Sequence, residues 1–292
     1  MNKWLICGAL AAGCGVGPGQ APGTLRVVLE AEETITQGIP ARVGTSGEGV
    51  QDGWALTYTR FWVVLGRVEL SSAAGARVVV PTAWATGSRV VDLRAGTQDA
   101  FTVQGVAPAR YDRVSYESRP ADASTEYPAG ASMADRQAML GSSTWIEVTA
   151  TRGARSVRLS WRFSEGWRYS DCEGPETRPG RGFVAASGGA TVLALSIHGD
   201  HWWWQTLGQE GSPVRFDPIA NADTAMAPYA GNGDGEVTLE ECERVGLAQI
   251  PPADGVFNPL GRATTLGGFL RESTGTNGHI DGDGVCAAAR VR

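Results

Sequence analysis

From Ser156 to Phe163 the chain alternates without a break. Val157, Leu159, Trp161 and Phe163 are apolar, and Ser156, Arg158, Ser160 and Arg162 between them are polar. Successive side chains of a β-strand point to opposite faces, so a strict period of two describes a strand with one dry face and one wet one. The same period recurs in Leu25, Val27 and Leu29, and in Ile146, Val148 and Ala150 set against Glu147, Thr149 and Thr151. After Trp54 it predicts a long strand pair with Trp62, Val64, Val68 and Leu70 on one face. Further strands are expected at Arg77–Val80, Arg89–Leu93, Phe101–Val106, Arg110–Ser118 and Thr191–His198, with turn punctuation such as Arg152-Gly153-Ala154 and Gly188-Gly189 between strands. Strands at short spacing without intervening helices predict a mainly β fold, an antiparallel β-sandwich over residues 24–205. One short helix is expected inside a loop, Ser132–Leu140.

After Trp204 the pattern changes. Pro213–Ala222, Thr238–Val245 and Thr264–Glu272 read as short helices between loops rich in Gly, Asn and Asp. Residues 206–292 are therefore expected to form a small helical extension packed on the sandwich, too short and loop-rich to stand alone.

Composition narrows the chemistry. Lys3 is the only lysine among 25 basic residues, against 31 acidic ones, and the net charge is −6. An acidic chain lacks the basic stripe that phosphates require, so no nucleic-acid partner is expected. The chain also shows no G-x-S-x-G elbow, P-loop, dinucleotide fingerprint or H-E-x-x-H pair, and is not expected to be an enzyme. Ten tryptophans, 40 glycines and only three histidines suit a binding protein better.

Met1-Asn2-Lys3, the apolar run Trp4–Ala12 and Gly13-Cys14 read as an export signal over residues 1–14. Ala12-Gly13-Cys14 resembles a bacterial lipobox, which implies lipidation of Cys14, a tether over residues 15–23 and an outer-membrane anchor facing the periplasm or the cell surface. Ala11 departs from that pattern, where Leu is commoner. In such a compartment disulfides form. Cys172, Cys242 and Cys286 allow three pairings from sequence alone. The expected one is Cys172–Cys286, both in polar loops with Gly nearby, because Cys242 opens a helix at a position that wants an apolar residue.

Two segments carry ion chemistry. Asn232-Gly233-Asp234-Gly235-Glu236-Val237-Thr238-Leu239-Glu240-Glu241 resembles the calcium loop of an EF-hand. Hard Ca²⁺ wants six to eight oxygens, which alternating acidic and amide side chains around a tight Gly turn supply, and a final Glu closes the shell. The resemblance implies ligands at Asn232, Asp234, Glu236 through its carbonyl, Thr238 and Glu241. Position one is Ala230, where Asp is usual. If Thr224–Gly231 bulges out as an insertion, Asp223 returns to the vacant place. A second acidic turn, Asn277 to Gly284, fits no calcium frame and is expected to be a plain turn.

The other segment is His198-Gly199-Asp200-His201-Trp202-Trp203-Trp204. On a regular strand His198 and His201 face opposite sides. They converge only if Gly199-Asp200 turns, and then, with Asp200 or His279, they would suit copper or zinc. Otherwise the histidines hold the extension against the sheet. The three tryptophans either seal that seam or offer a platform to a glycan or protein partner.

Taken together, the start near Asp52-Gly53-Trp54, the Ile197-His198-Gly199-Asp200-His201 run, the acidic loop and the end from His279 to Cys286 resemble a loosely defined group of exported bacterial proteins typical of myxobacteria. A more remote resemblance is to the β-rich, Trp-bearing copper-binding partners of methanobactin systems, whose ligand motif is not matched here. The leading expectation is a calcium-binding envelope lipoprotein. The alternatives are a periplasmic copper or zinc binder and a recognition module.

Overall fold

The computed structural model describes residues 20–42, 49–73, 75, 77–80, 87–174, 180 and 182–291. The expected export signal with Cys14, and residues 15–19 of the expected tether, lie outside them. Sixteen strands are present among the described residues: β1 (Gly23–Ala31), β2 (Ala55–Ser71), β3 (Arg77–Val80), β4 (Arg89–Asp92), β5 (Gln98–Val106), β6 (Arg110–Tyr111), β7 (Arg113–Ser118), β8 (Thr144–Arg152), β9 (Arg155–Phe163), β10 (Trp167–Ser170), β11 (Phe183–Val184), β12 (Ala190–Ile197), β13 (Glu236–Val237), β14 (Gly278–Ile280), β15 (Gly284–Val285) and β16 (Ala287–Arg290). The chain is mainly β. No helix of the described residues is long and apolar enough to cross a membrane.

One sheet has the order β15-β14-β12-β1-β5, and a larger one the order β13-β9-β8-β2-β7-β10-β16, with β3 and β4 also pairing to β2. Alternation along β9 does what the pattern demands: Val157, Leu159, Trp161 and Phe163 are buried, while Ser156, Arg158, Ser160 and Arg162 are exposed. These side chains share one core with Leu25, Val27 and Leu29 of β1 and Leu193, Leu195 and Ile197 of β12. Both sheets thus bury a face in the same apolar interior.

Three differences from the sequence pattern have physical causes. First, β1 pairs with β12 in parallel, Thr24 opposite Ala190 through Ala31 opposite Ile197, so the pairing is not wholly antiparallel. A parallel pair needs a long crossover, and the chain from β2 to β11 supplies it. Second, the apolar face of β2 changes side. Its pairing with β7 shifts register between Leu65 and Val68, as a β-bulge does. Trp62 and Val64 therefore join a small satellite cluster with Val90, Ala121, Met139 and Trp145, while Val68 and Leu70 join the main core.

Third, residues after 205 are more than a helical annex. Besides α3 (Asp217–Ala222), α4 (Leu239–Arg244) and α5 (Leu266–Ser273), following α1 (Glu33–Thr36) and α2 (Met133–Met139), they supply four strands. β13 pairs with β9, β14 with β12 and β16 with β10. Each continues a sheet beyond a strand that would otherwise leave its N–H and C=O groups without a neighbour. Strands of two to four residues are too short to show a period, which is why only the helices are legible in the sequence.

Candidate metal centre

β12 ends at Ile197, and a turn through Gly199-Asp200 leads into the 3-10 turn His201–Trp203. Gly199 is required there: a Cβ would lie 2.7 Å from Ile35 Cγ1 and 2.9 Å from Thr34 Oγ1 of α1. Tyr58 Oη donates to the Gly199 carbonyl and fixes the turn from below. The turn brings His198 and His201 to one side, with ring centroids 4.9 Å apart. β14 then carries His279 alongside, because Ser196 is opposite His279 in the β12–β14 register. Its ring centroid is 4.1 Å from His198 and 5.1 Å from His201. One nitrogen from each of the three rings lies within 4.8 Å of the others.

The hydrogen bonds decide which nitrogens are free. The Thr276 carbonyl lies 2.7 Å from His201 Nδ1 and 3.1 Å from His279 Nε2. A carbonyl only accepts, so both of those nitrogens carry the proton. That leaves lone pairs on His201 Nε2 and His279 Nδ1. Both atoms are buried and have no hydrogen-bond partner among the described residues. His198 is placed differently, with Nε2 3.3 Å from the Gly282 carbonyl and Nδ1 3.5 Å from Glu32 Oε1.

Carboxylates line the open side. Asp200 Oδ2 accepts from Trp204 Nε1 at 2.9 Å, and Trp204 stacks on His201 with centroids 3.7 Å apart. Glu32 accepts the Gly199 N–H at 3.1 Å. Sequence reasoning had no route to Glu32, which lies on the far side of the chain's crossover, nor to the Thr276 carbonyl, a backbone atom.

Burial sets the protonation of this cluster. It drives His201 well below the usual imidazole value, helped by His198 and His279. It lowers His279 from 6.5 to about 4, again with His198 contributing, and it raises Asp200 to about 7, with Glu32 adding to the effect. Each depressed imidazole contributes stability that is present above 6.5 and lost as pH falls towards its folded value. The raised carboxyl acts oppositely, contributing stability in acid that is lost as pH rises towards 7. Two imidazoles are depressed against one raised carboxyl, so below pH 6.5 the unfolded chain binds more protons than the folded one at these groups. Denaturant titrations with chelator present should show stability rising with pH from about 4 to 6.5. A flat or falling profile would contradict the assignment.

In the loop expected to hold calcium, Asp223, at the end of α3, reaches the turn: its Oδ1 accepts from Gly233 N at 2.9 Å and Asp234 N at 3.1 Å, and its Oδ2 from Gly235 N at 3.0 Å. The excursion closes where Gly231 N donates to the Thr224 carbonyl, and a Cβ on Gly231 would lie 2.2 Å from the Asp223 carbonyl carbon. Asn232 Oδ1 accepts from Asp234 N, and Asp234 Oδ1 from Glu236 N. Glu236 lies in β13 beside Arg158. Thr238 caps α4, and Glu241, which is buried, accepts from Asn232 N and Thr238 N.

Trp202, Trp203 and Trp204 are all buried, packed with Phe61, Phe163, Trp161, Phe216 and His201, so they form no exposed platform for a glycan or protein partner. Their apolar area contributes more in the core than it would in water. The turn Asn277–Gly284 is the β14–β15 hairpin, with Asp281 at φ 50° and Asp283 exposed. Cys172 and Cys286 form a disulfide, and Cys242 is a buried thiol. No protein family, curated protein or solved structure matches the chain.

Proposed function

We propose that the chain is an exported β-sandwich protein that binds a late first-row transition ion, Cu⁺ or Zn²⁺, through His198, His201 and His279. The observation that carries this reading is the pair of buried lone pairs on His201 Nε2 and His279 Nδ1, whose rings are pinned by one carbonyl and which meet no donor. A buried polar atom without a partner costs free energy, and imidazole nitrogen suits these metals. A bound ion about 2.0 Å from each nitrogen would hold three of them roughly 3.5 Å apart, and one nitrogen of each ring lies within 4.8 Å of the others. A disulfide and the lipobox-like start at Cys14 support an oxidising envelope location, with membrane attachment through the lipid. The test is metal titration of the purified chain, followed by thermal melts with Cu⁺, Zn²⁺, Ca²⁺ and EDTA. An ion at 100 times its Kd adds about 2.7 kcal/mol to the native state. A melt unmoved by both Cu⁺ and Zn²⁺ would sink the proposal.

A second reading, calcium in the loop of Asp223, Asn232, Asp234, Glu236, Thr238 and Glu241, is favoured by one observation: the Asp223 carboxylate accepts from Gly233 N, Asp234 N and Gly235 N and so organises the turn. Asp223→Ala should remove any Ca²⁺-dependent rise in Tm. It should also cost about 1–2 kcal/mol without calcium, because Gly235 N loses its acceptor, while Gly233 N keeps the Asp223 carbonyl and Asp234 N keeps Asn232 Oδ1. An unchanged calcium response in this variant would exclude Asp223 as a ligand.

A further inference from the structure

We infer that Asp200 sets which ion the histidine site takes: its Oδ1 closes the shell around a divalent ion and stays out of the shell of a monovalent one. This rests on the three-imidazole reading above. Asp200 lies in the turn between His198 and His201. Its Oδ2 is tethered by Trp204 Nε1 at 2.9 Å, so the carboxylate pivots about a fixed end. Its Oδ1 is buried, has no hydrogen-bond partner among the described residues, and stands 3.8 Å from His201 Nε2, the other unpartnered atom. His201 is 3% exposed, and Oδ1 is the buried end of the Asp200 carboxylate. Asp200, Glu32 and His198 also bring one ligand atom each within 4.8 Å of one another. His198 is therefore shared between an all-imidazole donor set and a carboxylate set.

Charge and coordination number separate the two ions. Three neutral imidazoles on Cu⁺ leave one positive charge, and on Zn²⁺ they leave two. An uncompensated buried charge is costly, and a carboxylate removes one unit of it. Zinc also prefers four ligands in a tetrahedron, whereas Cu⁺ is content with three nitrogens. The fourth donor should be an oxygen with no other duty, and Oδ1 of Asp200 fits. Glu32 fits less well, because its Oε2 is committed to Gly199 N and its Oε1 faces His198 Nδ1. Asp200 opens with Glu32, Glu33, Glu210 and Asp283 onto a cleft of about 310 Å³, which gives a cation access from solvent.

Asp200→Asn keeps an oxygen for Trp204 Nε1 and removes the charge, so the fold should persist, as circular dichroism would show. Competition titrations with chelators should find Zn²⁺ affinity lowered at least ~10-fold while Cu⁺ affinity stays within about twofold. Co²⁺ bound to the variant should lose the intense visible absorption of a four-ligand tetrahedral site. Glu32→Gln, with the same loss of one charge, should leave the Zn²⁺-to-Cu⁺ ratio unchanged. Equal weakening of both ions by Asp200→Asn, no weakening of either, or a shift in the ratio from Glu32→Gln alone would overturn the inference. A wild-type chain that binds Cu⁺ tightly but ignores Zn²⁺ would overturn it too and leave the three-imidazole reading standing. Binding of neither ion would instead bring down that reading and this one with it.

Discussion

Replacing His201 with alanine is expected to lower Cu⁺ and Zn²⁺ affinity by more than about 100-fold, since loss of a mere supporting contact at a metal site already costs about 10–100-fold. Of the three imidazoles His201 is the most buried, and its Nδ1 is committed to the Thr276 carbonyl at 2.7 Å, so its Nε2 has one orientation. An ion gains from that arrangement because the ring needs no ordering when it binds. Trp204, stacked at 3.7 Å, walls the ring on one side. The metal-free variant should still fold. Thr276 keeps His279 Nε2 as a donor at 3.1 Å, and the loss of one buried ring costs about 1–3 kcal/mol. His279→Ala should behave alike. Isothermal titration of both variants, beside melts that show they are folded, checks the prediction. Affinity within tenfold of wild type in either would mean that the three rings do not act as one donor set.

That site was partly legible in the sequence, for reasons particular residues make plain. Two histidines three apart point to opposite faces of a strand, so convergence of His198 and His201 depended on the Gly199-Asp200 turn. A Gly-Asp step permits such a turn without requiring it. Why the residue there must be glycine shows only in the structure, where Ile35 and Thr34, far away in the chain, leave no room for a Cβ. His279 could be named a candidate only because histidine is scarce. Its position follows from the three-residue strand β14, which carries no periodic signal. The fold was more readable where strands were long. Along β9 the alternation and the burial coincide residue by residue. Along β2 they part company at a bulge, since one extra residue exchanges the two faces for everything beyond it.

Asp223 shows the opposite case. In sequence, the loop resembles an EF-hand with Ala230 at its first position, which singles out Asp223 as near enough upstream to return; in the structure its carboxylate accepts from Gly233 N, Asp234 N and Gly235 N. In the structure the excursion between them is closed by Gly231, where the chain passes so near Asp223 that no side chain would fit. The glycine is a sequence signal of that close approach, readable once the missing ligand has posed the question.

The second large effect is expected from the disulfide. Cys172 follows β10, and Cys286 lies between β15 and β16, 114 residues further along the chain. Closing a loop of that size in the unfolded state is worth about 4–5 kcal/mol on the chain-entropy account. Against a total stability of about 5–15 kcal/mol for a typical domain, that is a large share. Local burial cannot replace it. All four residues of β16 are exposed, and its hold on β10 is a short edge pairing. Cys172 itself is fully buried, and Glu173 N donates to the Val285 carbonyl at 2.8 Å beside it, so the link ties an anchored point to the exposed strand β16. Cys242 is no competitor: burial pushes its thiol far up, which keeps it protonated and unreactive. The variant with Cys172→Ala and Cys286→Ala together should therefore lose about 4 kcal/mol in urea titrations, and wild type under reducing conditions should match it. Because β16 follows directly on the β14–β15 hairpin that carries His279, metal affinity should fall in the same variant, and saturating Cu⁺ or Zn²⁺ should restore part of the lost stability. A loss of stability with metal affinity unchanged would show that β14 is held by its pairing with β12 alone, and that the disulfide serves the fold without serving the site.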